Sequence, residues 1–142
     1  MNAALIFSFG NAAILLGWLL LLVAPRYKYT QLIINHGLVL LFSIVYTVLI
    51  FSGISDFDPN SFSTLANVKA LFQNDVVLTA GWFHYLAFDL FVGAYIVYQL
   101  QQSKSPRWLR FIILPFTFMF GPVGYVLFCA SKFWQSNQQH KP

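Results

Sequence analysis

The sequence predicts an all-α polytopic membrane protein, with four transmembrane helices and a short interfacial amphipathic helix between the second and third. Composition is the first reason: 58% of the 142 residues are hydrophobic and 8% are charged, whereas soluble domains carry about 25% charged residues. The second reason is that four apolar runs approach or exceed the ~20 residues that a helix needs to cross hydrocarbon. Helices satisfy their own backbone hydrogen bonds in lipid, so each run is expected to be helical.

The predicted spans belong to one domain that covers residues 1–142. They comprise about residues 3–24, 31–52, 76–100 and 109–133. The first run lacks a basic leader and is longer than the apolar core of a signal peptide, so we expect it to be a retained helix. Because no transit segment rich in Arg and Ser precedes it, the sequence favours a bacterial inner membrane.

The basic residues predict the orientation of these spans. Most of them lie in the loops after the first and third spans, namely Arg26, Lys28, Lys104, Arg107 and Arg110. The others lie on the opposite side, namely Lys69, Lys132 and Lys141. The positive-inside rule therefore places both termini on the non-cytoplasmic side of the membrane.

The longest connection, residues 53–75, begins with turn-forming residues, including Asp56, and then becomes amphipathic. Its apolar side chains recur at roughly helical spacing, namely Phe62, Leu65, Ala66, Val68, Ala70, Leu71 and Phe72. Polar residues lie among them, which predicts a short helix in the membrane interface. Such a helix either gates lateral access to the bundle or only anchors the loop.

The third span carries a carboxylate, Asp89, at membrane depth. Insertion of such a group costs at least about 2.5–3.5 kcal/mol, so it needs a partner, a proton or a water-lined cavity. No Lys or Arg lies near the centre of any predicted span, which favours a protonated Asp89 that can donate a hydrogen bond. Tyr85 lies one helical turn earlier on the same face and is a candidate partner.

Two histidines add to the polar set within the spans. His84 is five residues from Asp89, roughly 140° around the helix and ~7.5 Å along it, so we expect them at separate corners of a cavity. By depth, Asn11 of the first span is the best candidate to meet His84 and Tyr85. His36 lies nearer the cytoplasmic end, and a depth difference of roughly 10 Å from His84 argues against a shared haem iron.

The fourth span is interrupted by Gly121, Pro122 and Gly124. Pro122 cannot donate a backbone hydrogen bond and should free the carbonyl of Phe118. The glycines allow another backbone or a flat ligand to approach closely. The interruption is either a kink that only shapes the bundle or one wall of a ligand site.

Several kinds of function are disfavoured. The basic residues form no concentrated patch, so nucleic-acid binding is not expected. The single cysteine, Cys129, excludes an internal disulfide and a cysteine-pair redox relay. The spacing of His, Asp and Asn indicates no specific metal site, and we expect neither a metal nor a cofactor.

Three segments between Leu71 and Gly124 form a combined motif. They are Leu71-Phe72, the segment from Leu78 to Phe91 with the pattern Trp-x-His-x-x-x-x-Asp-Leu-Phe, and the segment from Phe118 to Gly124 with Gly-Pro-x-Gly. Together they resemble the abscisic acid deficient four-like membrane family. Its plant members are tied to the conversion of violaxanthin into neoxanthin. The resemblance therefore implies carotenoid chemistry in the membrane.

The reaction implied by the resemblance is an isomerisation, in which an epoxide opens while a proton leaves carbon, and it needs an acid and a base but no redox cofactor. Carried onto this chain, Asp89, or Tyr85 relayed by it, would be the acid and His84 the base. Other side chains are expected to bind the apolar isoprenoid or carotenoid, namely Asn11, His36, Trp82, Phe88, Phe118, Gly121 and Pro122. Four helices are few for enclosing a long polyene, so either a homodimer or a laterally open groove is expected, with membrane lipid as the other partner.

Two other functions remain open beside an isomerase. One is a small proton-coupled transporter in which Asp89 titrates, and it predicts transport that is lost in Asp89→Asn without any converted product. The other is a non-catalytic membrane subunit that binds pigment or lipid. It predicts a bound polyene that survives purification unchanged.

Overall fold

A computed structural model describes residues 2–53, 58–103 and 105–139, with side chains described up to residue 136. This part of the chain is helical and contains no strand. Its helices are α1 (Ala3–Val23), α2 (Thr30–Ser52), α3 (Leu65–Leu71), α4 (Asp75–Gln102), α5 (Trp108–Phe120) and α6 (Pro122–Gln139). Asp56 of the predicted turns, and Lys104 and Lys141 of the predicted charge balance, lie outside the described residues.

Helices α1, α2 and α4 are long and apolar enough to cross a membrane, with 21, 23 and 28 residues. They begin or end close to the predicted boundaries because long apolar runs favour helices of that length in lipid. Side-chain caps fix two of the starts: Asn2 accepts a hydrogen bond from the Leu5 amide, and Asn74 accepts from the amides of Val76 and Val77. The all-helical fold is therefore compatible with an integral membrane protein.

Helix α4 lies at the centre of the bundle. Its buried apolar residues pack against α1, α2 and α5 and include Phe83, Leu86, Ala87, Leu90, Ala94 and Val97. The neighbouring helices contribute buried residues to the same core, among them Ile14, Trp18, Phe42, Leu49 and Leu114. Many other large apolar side chains are exposed on α1 and α2, as expected where lipid takes the place of water.

The segment predicted as a fourth span is instead a helical hairpin. Helix α5 ends at Phe120 and α6 begins at Pro122. The hydroxyl of Ser105, before α5, donates to Oε1 of Gln135 in α6 at 2.9 Å, whereas a single continuous helix would separate these residues by about 45 Å. Helix α6 therefore runs back towards the end of the bundle where α5 starts, and the prediction of one spanning helix over residues 109–133 is wrong.

The physical reason for the reversal lies in the turn itself. Pro122 cannot continue the hydrogen bonding of α5 because it has no backbone N–H. The two arms then pack together and against α4 through one buried apolar cluster, formed by Ile96, Leu100, Leu109, Ile113 and Phe128. An arm of 13 residues rises only about 18 Å. The hairpin therefore reaches part of the way along α4 and turns there.

This hairpin changes the expected placement of the chain ends. Helix α1 begins beside the start of α4, as the hydrogen bond between Asn11 and Trp82 shows. Gln135, by contrast, lies at the end of the bundle where Gln101 donates to the Pro25 carbonyl. The start of α1 and the end of α6 therefore lie at opposite ends of the bundle. The structure does not support the prediction that both termini lie on one side of the membrane, because that prediction required a fourth crossing.

The connection between α2 and α4 does contain a short helix, α3, at the predicted place. The Thr64 hydroxyl caps it by accepting from the Asn67 amide at 3.2 Å. Leu71 is buried, while Leu65 is 85% exposed. Residues 54–57, where the first predicted turns lie, are outside the described residues. Placement of α3 in a membrane interface remains a prediction.

Candidate functional site

The tip of the α5–α6 hairpin meets α4 at Tyr85. The Tyr85 hydroxyl donates to the backbone carbonyl of Met119 at 3.1 Å and lies 3.4 Å from that of Phe118. Phe118 loses its helical donor because Pro122 has no N–H. The sequence predicted that this carbonyl would be free of a helical hydrogen bond. In the structure the Tyr85 hydroxyl of α4 approaches it instead.

Asp89 lies one turn further along α4, against the same hairpin tip. Its carboxyl packs onto Gly121, where an added Cβ would overlap a carboxyl oxygen of Asp89. The residue is 8% exposed, and its Oδ2 atom is buried without a hydrogen-bond partner among the described residues. A buried polar atom left in this state costs about 1–3 kcal/mol, and more when it is charged. Asp89 is thus placed to take up a proton or to bind a polar group.

Tyr85 and Asp89 form the polar pair that the sequence predicted on one face of this helix. They lie close enough to interact electrostatically. The hydroxyl nevertheless donates to the hairpin carbonyls, which leaves Asp89 Oδ2 free. Tyr85 and Asp89 therefore both contact the hairpin tip, Tyr85 at the Met119 carbonyl and Asp89 at Gly121.

A second close contact holds the hairpin arms together. Thr117 in α5 is fully buried and donates its hydroxyl to the Ile113 carbonyl at 2.9 Å. Gly124 in α6 lies against it, and an added Cβ would overlap the threonine hydroxyl. The small residue permits the arms to approach closely just below the tip. The sequence predicted that a backbone or a flat ligand approaches Gly121 and Gly124. In the structure Asp89 lies against Gly121 and Thr117 lies against Gly124.

A cleft of about 350 Å³ opens beside Tyr85, between α1, α4 and α5. Its walls are mostly apolar and comprise Asn11, Ile14, Leu15, Trp82, Tyr85, Leu86, Phe118 and Met119. At its edge the Trp82 indole donates to the Asn11 side-chain oxygen at 2.8 Å. Four residues predicted from the sequence therefore share one cavity: Asn11, Trp82, Tyr85 and Phe118.

His84 lies apart from this cleft. It is exposed, and its ring stacks on Phe88 at 4.6 Å and approaches Tyr46 of α2 at 5.4 Å. Consecutive helical residues point about 100° apart, so Tyr85 and His84 face different neighbours. The structure does not bring His84 together with Asn11 or Asp89, and it places Phe88 with His84 on the outer surface.

The remaining predicted residues lie elsewhere. His36 is exposed in a π-helical part of α2, Ile33–Val39. Gly121 and Pro122 form the hairpin tip beside Asp89 and do not line the cleft. Among residues 2–53, 58–103 and 105–139, no three His, Cys, Asp or Glu side chains are placed to share a metal ion.

Several cleft residues were not predicted, although the sequence carried a signal for them. Ile14 and Leu15 follow Asn11 by three and four positions, and Leu86 follows Trp82 by four. Residues at these spacings share one helix face. Met119, by contrast, lines the cleft because the hairpin turns just after it. The spacing of apolar residues in the sequence does not predict that turn.

A family model described as ABA DEFICIENT 4-like matches residues 5–128 of the chain. The chain belongs to the ABA DEFICIENT 4-like family. This confirms the resemblance seen in the sequence motifs. The comparison with curated proteins gave no match, and the comparison with solved structures gave none either. In this ABA DEFICIENT 4-like protein, the matched residues include every wall of the cleft and the whole hairpin tip.

Proposed function

We propose that this ABA DEFICIENT 4-like protein binds a carotenoid or related isoprenoid inside the membrane and isomerises it by acid–base chemistry. The observation that carries the proposal is Tyr85 in the wall of an apolar cleft, with the buried Asp89 carboxyl one helical turn further along α4. The cleft is lined mainly by apolar and aromatic side chains and has few polar groups, as small-molecule sites usually do.

The cleft volume supports binding of one end of such a ligand. At about 350 Å³ it lies near the lower limit for small-molecule sites, about 300–1,000 Å³. An oxygenated end ring fits this volume, while the polyene chain lies along the exposed apolar face of α1. The indole of Trp82, 5.3 Å from the Tyr85 ring, supplies a flat wall for the ring.

The proposed chemistry conserves the composition of the substrate. Tyr85 donates a proton to an epoxide oxygen as the C–O bond breaks, and Asp89 returns a proton to Tyr85. A proton then leaves the neighbouring carbon, and its electron pair forms a new C=C bond. Tyr85, which lines the cleft, takes up this proton as it passes its own proton back to Asp89. No redox cofactor takes part. This assignment replaces His84 as the base, because His84 does not face the cleft.

We place the protein in a bacterial inner membrane, with the arginine-bearing end of the bundle in the cytoplasm. Arg26, Lys28, Arg107 and Arg110 lie at that end, and Lys132 joins them because α6 returns there. The positive-inside rule supports this orientation. The start of α1 is then on the other side.

The test is expression in a carotenoid-producing host. Pigments from whole cells and from purified protein are separated by chromatography, and their masses are measured by mass spectrometry. The wild-type chain is expected to yield a new pigment of unchanged mass, and Asp89→Asn to yield none while the protein still accumulates. A purified protein with an unconverted polyene bound would instead establish a non-catalytic pigment-binding subunit.

One observation favours a second candidate, a proton-coupled transporter. Discontinuous helices form the binding sites of many transporters, and intramembrane carboxyl groups serve in their proton relays. Here the hairpin tip contacts Asp89. Such a protein would carry protons across proteoliposome membranes in a manner abolished by Asp89→Asn. It would leave the pigments of the host unchanged.

A further inference from the structure

The end of the bundle remote from the start of α1 contains a cavity of about 520 Å³. It lies where α1 ends, α4 ends and α5 begins. Its walls comprise Pro25, Arg26, Val97, Leu100, Gln101, Ser105, Pro106, Arg107 and Arg110. A smaller cavity of about 210 Å³ shares the same three arginines. We call the larger space the arginine cavity.

The arginine cavity concentrates positive charge without an acidic neighbour. None of its lining residues is Asp or Glu. Arg26 and Arg107 are close enough to Arg110 for their charges to act on its guanidinium. Like charges held together repel one another unless an anion lies between them. The described acidic residues lie elsewhere, with Asp89 at the hairpin tip.

Arg110 has one donor that meets no acceptor in the part of the chain that the structure describes. Its Nε atom is buried and has no hydrogen-bond partner among the described residues. The guanidinium lies 4.7 Å from the centre of the Phe111 ring, and this contact provides no acceptor oxygen. A guanidinium is suited to bidentate binding of phosphate or carboxylate oxygens. The cavity therefore offers donors that an anionic group would satisfy.

Three features make the arginine cavity a defined site for a molecule that is part polar and part apolar. Gln101 donates to the Pro25 carbonyl at 2.7 Å, which ties α4 to the chain leaving α1 beside Arg26. Ser105, in the cavity wall, donates a hydrogen bond to Gln135 of α6, which ties this wall to the hairpin. Val97 and Leu100 supply an apolar wall.

We propose that the arginine cavity binds a phosphate group, held by Arg26, Arg107 and Arg110. The phosphate belongs either to an amphiphile, such as an anionic phospholipid whose acyl chains follow Val97 and Leu100, or to a small soluble phosphate. This site is separate from the Tyr85 cleft and does not depend on the proposed isomerisation.

Native mass spectrometry of the full chain in detergent distinguishes these sources. Phosphatidylglycerol, diacylglycerol with the same acyl chains and inorganic phosphate are added separately to the wild-type protein. Retention of phosphatidylglycerol alone identifies a lipid headgroup, and retention of inorganic phosphate as well identifies a site for free phosphate. Equal retention of diacylglycerol and phosphatidylglycerol would overturn the proposal.

The matched variants remove equal charge from different places. Arg26→Gln/Arg107→Gln/Arg110→Gln is expected to lower the affinity for the retained phosphate ligand by about tenfold or more. Lys28→Gln/Lys69→Gln/Lys132→Gln, which leaves the cavity intact, is expected to change it little. Equal losses in both would contradict the assignment. Arg110→Lys keeps the charge but loses the guanidinium fork, so unchanged affinity in this variant would also count against the assignment.

Discussion

The carboxyl of Asp89 in α4 packs directly onto Gly121 at the tip of the α5–α6 hairpin. This contact joins a carboxyl group whose burial is energetically unfavourable to the turn that ends α5. Because Tyr85, one turn earlier, donates to carbonyls exposed by the same turn, the hairpin and the polar pair form one structural unit. The chemistry proposed for the cleft therefore depends on the hairpin reaching this depth.

Replacement of Gly121 tests that contact. Gly121→Ala is expected to lower the free energy of unfolding by about 1–3 kcal/mol, since the new methyl group overlaps the Asp89 carboxyl. Thermal unfolding in detergent measures the change. Gly37→Ala is the matched control, because a Cβ at Gly37 meets nothing within 4 Å. Equal stability of Gly121→Ala and Gly37→Ala would show that the tip does not approach Asp89.

The direction of α6 is open to a cross-linking test. In a Cys129→Ser background, Ser105→Cys/Gln135→Cys is expected to be cross-linked by a short bis-maleimide reagent, because the Ser105 hydroxyl and Gln135 Oε1 are hydrogen-bonded at 2.9 Å. Mass spectrometry of peptides detects the cross-link. Ser105→Cys/Phe120→Cys should not be cross-linked, since these positions lie about 22 Å apart along α5. A helix that crossed the membrane would keep residues 105 and 135 unlinked.

The hydrogen bond at the edge of the cleft should contribute modestly to stability. Trp82→Phe removes the indole N–H, which donates a hydrogen bond to Asn11 Oδ1 at 2.8 Å. We expect a loss of about 0.5–1.5 kcal/mol and weaker retention of a bound polyene. Unfolding curves and pigment content measure the two effects. Trp134→Phe, an exposed position on α6, is expected to alter neither; similar effects at both positions would argue against a role for the cleft.

His84 distinguishes the structural assignment from the one based on sequence motifs. Because its ring stacks with Phe88 and Tyr46 outside the cleft, His84→Ala is expected to retain isomerisation at nearly the wild-type rate. Pigment analysis of the expression host gives the rate. Complete loss of product in a well-folded His84→Ala protein would restore the histidine as the base.

Much of the fold follows from hydropathy, and the hairpin shows its limit. The ends of α1, α2 and α4 were predicted within a few residues because their apolar length is set by membrane thickness. Hydropathy measures how long residues 109–133 remain apolar, and it carries no information on whether the chain crosses or turns back. Gly121-Pro122 marked an interruption, but only packing against α4 decides between a kink and a reversal.

The candidate site was predicted in part for a similar reason. Helical spacing places Tyr85 and Asp89 on one face, and both contact the tip of the α5–α6 hairpin. The same spacing shows that His84 and Tyr85 diverge, yet it cannot say which of them faces α1. That choice depends on how α2 and the hairpin pack around α4, which involves contacts distant in sequence. The partnership of Trp82 with Asn11 is of this kind.

The most direct test of the central claim is the rate of pigment conversion in Tyr85→Phe beside Tyr98→Phe in the carotenoid-producing host. Both variants remove one hydroxyl from α4, but only Tyr85 lines the cleft. A positioned general acid contributes about 10²–10⁴-fold, so Tyr85→Phe is predicted to slow conversion at least about 10²-fold while Tyr98→Phe converts normally. Equal conversion by the two variants would contradict the assignment of Tyr85 as the proton donor.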